Sequence, residues 1–321
     1  MLNIKKYGWE ATLFILVILE ILGFGLINPR MLDLNVLLYS TSDFIYIGML
    51  ALPLTVVIVS GGMDISFGST VGLCAILLGV LLKSDLSLTF AIPFTFVIGI
   101  FCGLINASLI IYTKVNPLII TLGTMYLFGG GALLLSGFAG ATGYEGISGF
   151  PDSLLEFSNR TLFNIPTPII YFLIITIFFW AFMHRTCVGR SVFLIGQCER
   201  TSRYSAVPVH RTLFIIYSAT GFIAAFVAIL LVSYFGSARS DLGSSLLMPV
   251  LTAVVLGGAN IYGGSGSIIG TAIAALLIGY LQQGLQMAGI SNEISSALSG
   301  ALLIIVLIGK SLRLHYRTLV K

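Results

Sequence analysis

One carboxylate stands where a carboxylate is expensive. Asp64 lies in Ser60-Gly-Gly-Met-Asp-Ile-Ser-Phe-Gly-Ser69, between two apolar runs. A charge at the centre of an apolar helix costs about 2.5–3.5 kcal/mol, so Asp64 needs a polar setting. Glycines let a chain leave the helix and turn its backbone groups toward a cavity. Two readings follow. Asp64, Gly61, Gly62, Ser66 and Gly68 form a broken helix beside a path for a polar solute, or Asp64 caps the next helix in a tight turn. A second stretch, Gly257-Gly-Ala-Asn-Ile-Tyr-Gly-Gly-Ser265, repeats the first at a constant offset. It places Gly257, Gly258 and Asn260 opposite Gly61, Gly62 and Asp64, as an internal repeat would. Asn106, Thr121, Gly123, Gln282 and Gln286 are further candidates at membrane depth. Gln282 and Gln286 are four apart and share a helix face. Such groups bind a polar solute or join helices by hydrogen bonds.

Other patterns carry no chemistry. Ile308-Gly-Lys-Ser311 ends like a phosphate-binding loop, but Ile304 stands where its first glycine belongs. His184, Cys187, Cys198 and His210 have no zinc spacing, so no metal or other cofactor is expected. No Ser/His/Asp arrangement shares an aqueous face, and an enzyme is not expected.

The elements that must hold these residues are membrane helices. The chain has 321 residues, 57% hydrophobic and only 9% charged, with mean hydropathy +1.06. Soluble domains average about 25% charged residues, so a soluble enzyme, a disordered chain and a nucleic-acid binder are excluded. The apolar runs are continuous, which argues for helices and against a β-barrel. An all-α polytopic protein with about ten transmembrane helices is expected, at about 8–27, 44–60, 67–83, 88–112, 118–136, 166–183, 212–234, 246–260, 265–288 and 294–309. Ten spans put both termini on one side. Lys5, Lys6, Lys114, Arg185, Arg190, Arg200, Arg203, Arg211, Lys310, Arg313, Arg317 and Lys321 fall on that side. Arg30, Lys83, Arg160 and Arg239 fall opposite, so both termini are expected in the cytoplasm. One transmembrane domain over 1–321 carries two long loops. The outer, 137–165, has glycine at every third position from Gly137 to Gly149 and reads as flexible. The inner, 184–211, is arginine-rich and attractive to anionic lipid. Cys74, Cys102, Cys187 and Cys198 form no outer disulfide framework. A transporter or channel is the natural class.

With these segments in place, the chain resembles the ribose-type permease family of ABC importers. The likeness runs from about Asp43 to Ile308. It is carried by Ser60–Ser69, by Asn106 with Lys114-Val-Asn-Pro117 and Thr121-Leu-Gly123, by Ala253–Thr271, and by Gly279–Leu285. Asn28–Asn35, Ser136–Ile147 and Ser233–Gly243 are most like the branch that imports autoinducer-2, a small polyhydroxylated furanose-like signal. The resemblance implies one permease subunit of a heterodimer in the bacterial inner membrane. It further implies a cytoplasmic ABC ATPase, a periplasmic substrate-binding protein, and no nucleic acid. Ribose or another pentose is the alternative cargo, and a self-sufficient secondary transporter the alternative class. Phe193–Val207 is similar to the family's ATPase-docking segment. Gly196, Glu199, Arg203 and Ser205 keep its pattern, whereas Arg200 replaces a small residue and Ala206 a glycine. These six are the implied coupling residues.

Overall fold

The computed structural model describes residues 8–138, 140 and 146–291. Of the remainder it describes 294, 295, 297, 298, 300, 301, 304 and 308. Lys5, Lys6, Lys310, Arg313, Arg317 and Lys321 lie outside the described residues, as does half of the expected last span.

The helices are α1 (Gly8–Ile27), α2 (Leu34–Val59), α3 (Phe67–Lys83), α4 (Leu88–Thr113) and α5 (Pro117–Phe138), followed by α6 (Asp152–Asn159), α7 (Thr167–Arg185), α8 (Cys187–Gln197), α9 (Glu199–Tyr204), α10 (Val209–Phe235), α11 (Leu247–Leu256) and α12 (Ile268–Met287). Seven of those described, α1, α2, α4, α5, α7, α10 and α12, are long and apolar enough to cross a membrane. α3 and α11 are shorter apolar helices.

α2 is the core. From Ser40 to Val59 every residue is buried except Asp43. A helix buried all round belongs at the centre of a bundle. It starts ten residues before the expected boundary, because Asp33 caps it by accepting the Asn35 N–H at 2.9 Å. Two of its early polar residues, Thr41 and Asp43, then find partners within the bundle. Thr41 bonds the Leu37 carbonyl and the Tyr280 hydroxyl, both at 2.7 Å, and the Tyr234 hydroxyl donates to Asp43. α1, by contrast, leaves most of its apolar surface outside, as a lipid-facing helix should.

α4 and α10 cross so closely that backbone meets backbone. Gly99 and Gly103 repeat at four residues, the small-residue spacing that lets membrane helices touch. A Cβ on Gly103 would stand 2.2 Å from the Tyr217 carbonyl oxygen, and one on Gly221 2.0 Å from that of Gly99.

The bundle has two ends. At one, Trp9 Nε1 donates to the Leu256 carbonyl at 2.9 Å and Ser267 Oγ donates to Glu10 at 2.9 Å. The start of α1 therefore sits beside the second glycine-rich stretch. At the other end residues 147–165 of the expected outer loop form a folded cap. Strand β1 (Ile147–Ser148) pairs with β4 (Ser237–Ala238), and β2 (Thr161–Leu162) with β3 (Ile165–Pro166). α6 is tied to the bundle through Ser158, whose Oγ meets the Tyr46 hydroxyl at 3.0 Å. Its N–H donates to Ser233 Oγ at 2.8 Å. Glu145 and the glycine at 143 lie outside the described residues.

The α4–α10 crossing makes a sharp prediction. Gly221→Ala forces backbones apart and should cost about 1–3 kcal/mol, the usual penalty of overpacking. Gly130→Ala, where a Cβ meets nothing within 4 Å, should be neutral. Melting temperatures of the detergent-purified variants check this. Equal melting would contradict the crossing.

Candidate polar hub and glycine junction

The two glycine-rich stretches end their helices by the same chemistry. At α2, the Gly61 N–H donates to the Ile58 carbonyl at 2.9 Å and the Gly62 N–H to that of Val57 at 3.1 Å. At α11, Gly258 donates to Val255 and Ala259 to Val254, both at 3.2 Å. These paired bonds need a left-handed residue after the cap, and Gly61 (φ +83°) and Gly258 (φ +106°) supply it. Each stretch then makes the same side-chain turn. The Ser66 N–H donates to Asp64 Oδ1 at 2.9 Å, and the Tyr262 N–H to Asn260 Oδ1 at 3.3 Å.

Beyond this the two diverge. Asn260 spends its amide inside its own loop, donating to the Gly263 carbonyl at 3.0 Å. Asp64 is 2% exposed and anchors a relay across three helices. Thr124 Oγ1 donates to Asn106 Oδ1 at 2.7 Å, and Asn106 Nδ2 donates to Ser66 Oγ at 2.8 Å. Ser66 Oγ donates to Asp64 Oδ1 at 2.7 Å. The neighbouring Met63 carbonyl accepts from the Tyr217 hydroxyl at 3.3 Å and Thr121 Oγ1 at 3.4 Å. The hub thus ties the break after α2 to α4, α5 and α10. Buried polar groups of this kind are stable only when each finds a partner. The helix cap itself falls on Ser66, which makes no side-chain capping bond.

Of the sequence candidates, Asp64, Ser66, Asn106 and Thr121 converge here. Gly62 packs under the Tyr217 hydroxyl, 2.7 Å from where its Cβ would be. Gly123 faces outward from α5, where a Cβ meets nothing within 4 Å. Gln282 and Gln286 lie toward the opposite end of α12. Gly257 sits against the Thr271 backbone, 2.4 Å from a Cβ position. Tyr217 joins the hub without an advance signal of its own.

The loops also meet each other. The Gly264 N–H donates to the Val59 carbonyl at 2.8 Å. Gly196, at the end of α8, covers that bond. A Cβ there would lie 1.8 Å from the Val59 oxygen and 2.4 Å from the Gly264 nitrogen. A Cβ on Gly263 would lie 2.8 Å from the Gly196 oxygen and 2.9 Å from the Gly61 nitrogen. Three glycine backbones from three segments therefore interlock.

Immediately past this junction stands α9. Glu199 and Arg203 pair at 2.7 Å on its exposed face, and Arg200 is exposed beside them. Ser205 and Ala206 end it. The Val207 N–H donates to the Ser202 carbonyl at 3.1 Å, which forces Ala206 to φ +57°. That conformation suits glycine, the residue that Ala206 replaces in the similar family segment. Cys198 caps the start of α9. Thr201 Oγ1 donates to its sulfur at 3.2 Å and holds the exposed thiol below its ordinary pKa.

The family described as branched-chain amino acid transport system / permease component matches residues 36–307. The autoinducer 2 import system permease protein LsrD of Salmonella typhimurium is 68% identical over 97% of this chain and 94% of its own length. The proteins of the same name from Yersinia pseudotuberculosis and Photorhabdus temperata are 67% identical over 97% of this chain and 93% of their own lengths. No solved structure matches. The chain therefore belongs to this family of transport-system permeases.

Proposed function

We propose that the chain is a permease subunit of an ABC importer that brings autoinducer-2 into the cytoplasm. The observation that carries this is 68% identity to proteins named for that import, sustained over 97% of the chain. Ribose is the less favoured cargo, because none of those relatives is named for it. The chain is embedded in the bacterial inner membrane with about ten spans. Both termini and α9 face the cytoplasm, in line with Arg185, Arg190, Arg200, Arg203 and Arg211 gathered at that end. It works with a second permease subunit, a periplasmic binding protein and cytoplasmic ATPases, since the energy must come from another chain.

The mechanism we infer joins the two buried features. α9, with Glu199, Arg200, Arg203, Ser205 and Ala206, docks on the ATPase. Displacement of α9 passes through Gly196 into the junction with Gly61 and Gly263. From there it reaches Asp64 and the start of α3, which moves beside the solute path. Asp64 is engaged by two donors from Ser66, which favours a structural pivot. Uptake of autoinducer-2 by cells carrying the importer with and without this subunit tests the assignment. Loss on deletion and return on complementation are expected, and uptake undiminished by deletion would overturn it.

Two variants test the parts. Asp64→Leu leaves the Ser66 N–H and hydroxyl without their acceptor, at about 1–3 kcal/mol for each buried group. Uptake should be abolished, while Asp64→Asn, which keeps an acceptor oxygen, should retain a substantial fraction. Normal uptake by Asp64→Leu would remove the pivot. For docking, the native Cys198 thiol should react with a water-soluble maleimide in the isolated subunit and be protected when the ATPase is co-assembled. Equal labelling in both would contradict the docking assignment.

A further inference from the structure

We propose that residues 239–245 enter the membrane and line the solute path, with the Arg239–Asp241 pair binding adjacent hydroxyl groups of a small uncharged polyol. The sequence places this stretch in an outer connector between α10 and α11. The structure lays it along α3 instead. A Cβ on Gly79 would be 2.8 Å from Ala238 Cβ, one on Gly72 2.1 Å from the Ser240 carbonyl oxygen, and one on Gly68 2.7 Å from that of Gly243. The chain therefore descends antiparallel to α3 over eleven helical residues, about 16 Å at 1.5 Å per residue. It finishes within one turn of Ser66 and the polar hub. α11 needs only ten residues, after a 3-10 turn at Ser244–Leu246, because the descending segment has already covered much of the depth.

Non-helical backbone at that depth is tolerated only where protein or water covers it. Protein covers one side, the glycine face of α3. The other side carries Arg239 and Asp241, whose side chains are 46% and 30% exposed. Ser244 and Ser245 continue the exposed line toward the hub. Arg239 and Asp241 stand two apart where the chain passes from strand into a turn, and their side chains meet. Arg239 Nε donates to Asp241 Oδ1 at 2.9 Å and Nη2 to Oδ2 at 2.6 Å. Lipid cannot cover an exposed ion pair at this depth, so the pair faces water. Ser240 Oγ, buried and without a partner, adds a hydroxyl to the same stretch. A guanidinium offers donors and a carboxylate offers acceptors, the complement of two neighbouring hydroxyls. The choice of solute rests on the function proposed above, whereas the water-lined path does not.

The test has two arms in the assembled importer, with Cys74, Cys102, Cys187 and Cys198 replaced. In the first, Ser244→Cys and Ser245→Cys are exposed to a charged methanethiosulfonate reagent, both without nucleotide and after vanadate trapping. Leu134→Cys, on the exposed face of α5, is the lipid-facing control. Modification of the serine positions in at least one state, with the control silent, is expected. Silence at both positions in both states overturns the path, whatever the cargo. In the second arm, Asp241→Asn should lower autoinducer-2 uptake at least tenfold. The exchanged pair, Arg239→Asp with Asp241→Arg, should fail to restore it, because donor and acceptor have traded places. Full rescue by the exchange would reduce the pair to a structural bridge and overturn the binding role. Labelled serines in an importer that does not move autoinducer-2 would leave the path standing and sink the cargo assignment.

Discussion

The Val59 carbonyl is the last acceptor of a buried helix, and its partner comes from far along the chain. The Gly264 N–H reaches it at 2.8 Å, and Gly196 closes over the bond with no room for a Cβ. Much of the functional architecture hangs on this contact. It fixes the break after α2 against the break after α11, and it seats α8 on both. Substituting Gly196 inserts atoms between backbones that already touch. Interiors packed this closely transmit displacement and do not absorb it. A shift of α8 therefore becomes a shift of the two breaks.

Beside that contact, the polar hub fixes the start of α3. α3 packs on α4, α5 and α10, and it leaves α2 at a buried carboxylate. The Thr124–Asn106–Ser66–Asp64 relay binds α4 and α5 to the start of α3. The first turn of α3 is thus held by polar bonds at one end and by Gly68 against Gly243 on its flank. Few hydrogen bonds are spent, but they are buried, where loss of a partner is most costly.

Much of this was legible in the sequence. Long apolar runs specify spans, so α1 and α3 begin and end where their composition says. Asp64 among glycines marked a break between two apolar runs, read either as a broken helix or as a tight turn, and the matching stretch at Asn260 marked a second such break. α2 starts earlier than its hydropathy implies because Ser40, Thr41 and Asp43 satisfy their polar groups within the bundle. The outer stretch from Ile147 to Pro166 read as a loop, since its short strands and α6 depend on partners distant in sequence. The segment around Arg239 was hidden for the same reason. Nothing local says that its backbone rests on Gly72. Residue types named Asn106 and Thr121 as polar at depth, but only the packing shows that they share Asp64 and that Gly123 does not.

The proposed mechanism stands on transmission through the glycine junction, beneath the proposed docking surface and not on it. Gly196→Ala isolates that step. In proteoliposomes containing the whole importer and its binding protein, ATP hydrolysed and solute delivered are measured together. The account predicts that the ATPase stays bound and continues to hydrolyse ATP while uptake falls at least tenfold. An unchanged ratio of solute delivered to ATP hydrolysed would contradict it.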